Sequence, residues 1–157
     1  MPRRPRAPAR DGPAVGHPER AERGQADAPL ARRHRRARLY AEAGVTAGDI
    51  NAAYLQDGTS VWVLQMLEWY GFCGLGEAGP FLAEGHTRPG GSLPVNTHGG
   101  QLSESYTHNW MHLYEAVRQL RGECGDRQLD GPELALHAQT HDFWKGAATL
   151  LSTRETA

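Results

Sequence analysis

Apolar residues along this chain recur with two different spacings, and the switches between them mark the expected elements. Up to Pro29 there is almost no large apolar residue, and six prolines fall between Met1 and Pro29. Such a segment cannot bury enough surface to offset an ordering cost of roughly 1–2 kcal/mol per residue. Residues 1–30 therefore read as a disordered Arg/Pro-rich tail ahead of one folded domain, residues 31–157. Ala31 to Ala43 has helix-forming composition, with Gly44 as the residue after its C-cap. Thr46 to Asp49 reads as a turn and Ile50 to Leu55 as a short buried strand. Val61, Leu64 and Leu67 recur at helical spacing, widened by Met66, Trp69 and Tyr70, which predicts a largely buried helix from Ser60 to Tyr70 ended by Gly71.

Residues 74–92 hold six glycines and two prolines, too many for a regular element, so a long loop able to cover a site is expected there. Leu93 to Val95 reads as a strand leading into Asn96-Thr97-His98-Gly99-Gly100. The best amphipathic helix follows, with Trp110, Leu113, Ala116, Val117 and Leu120 as its inner stripe and Glu115, Arg118 and Gln119 facing away. Leu134 to Ala138 and Ala147 to Leu151 read as two final strands joined by the loop Gln139 to Gly146. The order β-α-β-α-β-β predicts a layered α/β domain.

Charge sharpens the boundary between tail and body. Residues 1–39 hold 11 of the 17 basic residues, all arginine, against four acidic ones, a net +7; the other 118 residues carry 6 basic and 14 acidic side chains, a net −8. An Arg-rich arm suits phosphate neutralisation, but no aromatic residue precedes Tyr40 to stack on bases, so nucleic-acid binding is not the favoured reading. A solvated arm, or the trace of a missing upstream domain, accounts for the same composition. No apolar run reaches the roughly 18 residues of a membrane span, and the arginine- and proline-rich start lacks the apolar core of a signal peptide. Two cysteines, Cys73 and Cys124, are too few for a disulfide scaffold, and the expectation is a reduced cytoplasmic protein without membrane association.

Three constellations carry candidate chemistry. His108 and His112 lie four apart, a spacing metal ligands use, yet His-Asn-Trp-Met-His lacks a protease's glutamate and no third ligand is signalled. Cys73 is a free thiol with nothing nearby in sequence to activate it. The pair Gly99-Gly100, followed by Ser103, Ser105, Tyr106 and Thr107 before a helix, suits close backbone approach to a ligand or a carbonyl oxygen that gains charge; the same turn also occurs without function.

Taken with Gly71-Phe72-Cys73 before it and Glu115-Ala116-Val117-Arg118-Gln119-Leu120-Arg121-Gly122 after it, the Asn96–Gly100 motif resembles the C-terminal third of thiolase-superfamily proteins, in the lipid-transfer branch related to the thiolase part of sterol carrier protein x. The resemblance runs from about Arg35 to Arg154 and is nearly continuous from Gly71 to Gly122. It implies a thiolase-like half-fold whose nucleophilic cysteine belongs to an N-terminal half absent from this chain. It also places the family's Gly-His-Pro triplet on Ser105, Tyr106 and Thr107, so a tyrosine stands at the catalytic histidine position. A phenol ionises near pH 10, which makes it a poor base at neutral pH but a competent proton donor. Tyrosine here resembles members of the branch that act as retro-aldolases on acyl-CoA intermediates of sterol degradation.

Those enzymes are thought to use a second tyrosine in the earlier strand-to-helix turn, Tyr54 to Ser60 here. Gln56 falls on that position beside Asp57, and Tyr54 is two residues off. Gln56 can donate to an oxyanion but cannot shuttle a proton, and it can equally be an ordinary turn residue. The family's Cys-x-Gly loop is replaced by Gln139-Thr140-His141-Asp142, so conventional thiolysis is not expected. The candidate catalytic set is thus Tyr106, Gln56, Asp57 and His98, with Gly99, Gly100 and Ser105 contacting the ligand. No metal and no tightly bound cofactor are expected; a coenzyme A thioester is the substrate. The resemblance implies a domain or split subunit of an acyl-CoA carbon–carbon bond enzyme, an acyltransferase or retro-aldolase, partnered by an N-terminal thiolase half or a homologous subunit. The alternative is a non-catalytic interaction subunit pairing with a thiolase-like or OB-fold partner.

Overall fold

The computed structural model describes residues 35–141 and 145–154. The expected tail, the first residues of the expected leading helix and the middle of the last loop lie outside these residues. Residues 35–43 form helix α1. It closes at Gly44, whose φ of 65° lets the Gly44 and Val45 amides reach back to Ala41 and Tyr40. A 3-10 turn, Ala47–Asp49, is fastened by the Asp49 carboxylate accepting from the Thr46 amide and hydroxyl, which delays the first strand, β1, to Ala52–Leu55.

All four residues of β1 are fully buried because the strand is covered on both faces. Ala53 and Leu55 pack with Met66 and Leu67 of helix α2 (Ser60–Trp69), while Ala52 and Tyr54 pack with Ala116 of helix α5 (Trp110–Arg121). Strand β1 runs parallel to β2 (Leu134–His141), which pairs antiparallel with β3 (Lys145–Ser152), giving the sheet order β1-β2-β3. The result is a layered α/β half-fold.

Four sequence expectations change here. Both final strands run longer than their apolar segments, because Gln139 and Thr140 continue the pairing with Ala147 and Gly146. Within the glycine-rich stretch a short helix, α3 (Ala78–Ala83), packs on α2. Leu93 to Val95 does lie beside β1, but as one parallel bridge, Ala53 to Val95; Pro94 has no N–H and the left-handed φ of Asn96 ends the run.

The amphipathic helix α5 is rotated from its expected orientation. Trp110 and Tyr114 face outward at 69% and 55% exposure, whereas Glu115 and Gln119 point inward and are buried. These polar groups face inward because each finds partners there. Glu115 accepts from Thr97 Oγ1 at 2.9 Å and from the Arg127 guanidinium at 3.1 Å. Gln119 accepts from the Leu129 amide and donates to the Arg127 carbonyl. Burial pushes the Glu115 carboxyl up, but Arg127, Thr97 and Gln119 together hold it below its ordinary value. Among the described residues no helix is long and apolar enough to cross a membrane.

Candidate active site

The site is built where β1 ends. Asn96, with φ 50°, turns its side-chain amide alongside Leu55: Oδ1 accepts from the Leu55 amide at 2.9 Å and Nδ2 donates to the Leu55 carbonyl at 2.8 Å. One side chain thus does what a further strand residue would do, and it fixes the Asn96–Gly100 turn against the sheet. Gly99 and Gly100 both have positive φ and lead into the four-residue helix α4 (Gly100–Ser103).

The close approach that Gly100 permits is by the chain's own Asp57. A Cβ built on Gly100 would lie 1.9 Å from Asp57 Oδ2, while Asp57 Oδ1 accepts from the Gln101 amide at 2.9 Å. The first amides of α4, expected to face a ligand oxygen, are therefore occupied by an internal carboxylate. Burial pushes the Asp57 carboxyl up, but His112 and the Gln101 and Leu102 amides together hold it below its ordinary value. Gln56 is likewise engaged: its Oε1 accepts from the Thr140 amide at 2.8 Å, tying the β1 end to the far end of β2.

Behind this turn lies a cluster that the sequence reading did not assemble. His112 Nε2 sits 3.1 Å from Asp57 Oδ1, within ion-pair distance but off the line of a well-formed hydrogen bond. The His98 and His112 rings meet edge to face with centroids 4.7 Å apart. Among the described residues, both nitrogens of each ring, both side-chain polar atoms of Gln101 and the side-chain oxygen of Asn109 are buried without a hydrogen-bond partner. Burial and the neighbouring His112 push His98 below the usual imidazole range, and burial does the same for His137, which pairs with Asn109.

Tyr106 is 60% exposed, its ring edge-on to His108 at 5.1 Å. It stands in a turn held by two successive left-handed residues, His108 and Asn109, a backbone state that strains a non-glycine residue. Among the described residues no hydrogen bond joins Tyr106 to His98 or Gln56. Ser105 is exposed on the same turn. Leu102, Trp110 and Tyr114 continue the exposed row.

His108 precedes α5, while His112 is buried on it, so the two do not share a helical face. Among the described residues no group of three or more His, Cys, Asp or Glu could hold a metal ion. Burial, Glu68 and Glu77 push the Cys73 thiol up and keep it protonated. A cavity of about 300 Å³ opens on the other face of the sheet, between α1, Trp69 of α2, Tyr70 just after it, and Ala148 of β3. It takes no part in the cluster.

The half-fold and this turn define a thiolase-type domain, and the chain belongs to the thiolase C-terminal domain-like family, whose pattern matches residues 15–154. The match begins earlier than the resemblance legible in the sequence. Among particular relatives, the steroid side-chain-cleaving aldolase of Thermomonospora curvata is 51% identical over 102 residues, covering 65% of this chain and 26% of the relative. The 17-hydroxy-3-oxo-4-pregnene-20-carboxyl-CoA lyase of Mycobacterium tuberculosis is 50% identical over 84 residues, 54% of this chain and 22% of the relative. A solved structure, the Ltp2-ChsH2(DUF35) aldolase, superposes with a TM-score of 0.71 at 39% identity, covering 77% of this chain and 31% of that one. The chain thus spans about a quarter to a third of the length of these relatives.

Proposed function

We propose that this chain supplies the C-terminal part of a retro-aldol acyl-CoA lyase acting on a steroid side chain, and that an N-terminal thiolase half or a homologous subunit completes it. The observation that carries this reading is the turn itself: it presents an exposed phenol, Tyr106, between Gln101 and Asn109, whose buried side chains keep polar atoms without a hydrogen-bond partner among the described residues. In a retro-aldol step a base removes the proton of the β-hydroxyl, and the O–H electron pair becomes the new carbonyl. The carbon–carbon bond breaks, its pair passes to the thioester enolate, and an acid protonates that enolate at carbon. On this reading Tyr106 serves as the proton donor. Asp57 pairs with His112, and Gln56 ties the end of β1 to the far end of β2.

A coenzyme A thioester enters as substrate and no tightly bound cofactor is invoked. The exposed row Leu102, Tyr106, Trp110 and Tyr114 favours a second reading, an interaction subunit that docks a thiolase-like or OB-fold partner without contributing chemistry. Co-expression with a candidate N-terminal half separates the two. On the lyase reading the purified complex converts a 17-hydroxy-20-carboxyl-CoA steroid into a steroid ketone and propionyl-CoA. A stable complex that leaves this substrate intact supports the interaction subunit.

A further inference from the structure

Four side chains follow one another by contact from the turn inward. Glu104, in the turn just ahead of Ser105 and Tyr106, has a side chain 40% exposed, and its Oε2 is 3.8 Å from His98 Nε2. The His98 side chain is 2% exposed and meets His112, which is fully buried and ends on Asp57 Oδ1. Asp57 in turn is anchored by the Gln101 amide. A buried imidazole nitrogen that makes no hydrogen bond is destabilising, and among the described residues none of the four nitrogens on these adjacent rings makes one, the two Nε2 atoms having only a carboxylate at ion-pair distance.

We infer that Glu104, His98, His112 and Asp57 form a proton relay with Glu104 as its site-facing end, where it exchanges a proton with the reacting group. Packing alone could be served by apolar side chains here. Titratable groups instead run in order from half-exposed turn to buried carboxylate: Glu104 Oε2 lies 3.8 Å from His98 Nε2, the two ring centroids are 4.7 Å apart, and His112 Nε2 lies 3.1 Å from Asp57 Oδ1. A proton taken up at Glu104 passes to His98 and is held between the two rings by the Asp57 charge, so no ion is stranded in the interior. The same proton returns outward when the turn's acid must be restored. Asp57 and His112 act through His98 and are positioning residues. As a step in turnover the relay rests on the lyase reading; as a coupled titrating unit it does not.

Charged and titratable groups reach His98 from each neighbouring element: Tyr54 from β1, Asp57 beyond its end, Glu104 from the turn after α4, and His112 and Glu115 from α5. Burial and His112 lower its proton affinity, while Glu104, Glu115 and Asp57 raise it. NMR titration of the full chain labelled in its histidines tests the coupling directly, with the His98 signal assigned by its loss in His98→Gln. Glu104→Gln, on a half-exposed turn, moves the His98 midpoint down; His112→Asn moves it up. If His112→Asn fails to fold, the Glu104→Gln arm decides alone. A His98 midpoint unmoved by Glu104→Gln overturns the relay.

In the reconstituted complex Glu104→Gln lowers kcat by roughly a hundredfold, the scale of one general acid–base group, with KM nearly unchanged. Full kcat in that variant also overturns the relay. If the wild-type complex has no lyase activity, the lyase reading fails while the titration still decides the coupling.

Discussion

Replacing Gly100 by alanine tests the packing on which the site depends. Gly100 has φ 73°, and an alanine Cβ there would lie 1.9 Å from Asp57 Oδ2 and 2.7 Å from Asp57 Cγ. Two effects add. The left-handed backbone disfavours alanine by about 1–2 kcal/mol, and the carboxylate must leave the Gln101 amide, forfeiting a charged hydrogen bond of about 1.5–3 kcal/mol. The expected loss is therefore about 3–5 kcal/mol. Gly122, at the end of α5, has nearly the same φ, 74°, and open space around its missing side chain, so Gly122→Ala should lose only the backbone share, about 1–2 kcal/mol. Urea unfolding of the full chain at neutral pH measures both through the shift in midpoint at constant slope. In an Asp57→Ala background the extra penalty of Gly100→Ala should largely vanish, because the atoms it strikes are gone. Equal losses for Gly100→Ala and Gly122→Ala would refute the idea that Asp57 occupies the turn.

Stability should fall as the solution is acidified in two stages. His98 and His137 have folded values below the ordinary 6.5, so the unfolded chain takes up their protons first as pH drops through that range. Asp57 and Glu115, also held down, then lose their contribution as pH falls through the carboxylate range; a urea midpoint that rises between pH 7 and pH 5 contradicts this. Gln56→Leu removes the side-chain oxygen to which the Thr140 amide donates, and should destabilise by about 0.5–1.5 kcal/mol and speed amide exchange at Thr140 more than at Leu136; unchanged exchange there would show the bond to be dispensable. The isolated chain should not cleave acetoacetyl-CoA with coenzyme A, since it has neither a cysteine in a Cys-x-Gly loop nor a histidine at position 106, and turnover above that of a heat-killed sample would refute this.

Local signals in the sequence located most of the elements and misjudged where polar groups could hide. Helix α2 and both final strands follow from apolar spacing, because their inner faces are apolar. Helix α5 was turned the wrong way because a stripe through Trp110 looks more apolar than one through His112, Glu115 and Gln119. What reverses the preference is a set of tertiary partners, Thr97, Arg127 and Leu129, that no local window contains. The site was legible in part for the same reason. Gly99 and Gly100 announce themselves as a pair ahead of a helix, whereas Tyr106, Gln56 and Asp57 stand out only through the family resemblance. The approach of Asp57 to Gly100 and of His112 to His98 spans more than ten residues of chain, and only the fold reveals it. His112 was weighed as a metal ligand with His108, and its contact with His98 gave no sequence signal.

On the proposed reading Tyr106 does chemistry in a completed thiolase-type site. The most direct measurement is the rate of side-chain cleavage by the complex of this chain with its N-terminal half, comparing wild type with Tyr106→Phe. With the side chain 60% exposed, removing one hydroxyl should change stability by about 1 kcal/mol or less, so the fold stays intact. Cleavage should be lost while assembly and unfolding midpoint are preserved. Full activity in Tyr106→Phe would contradict it.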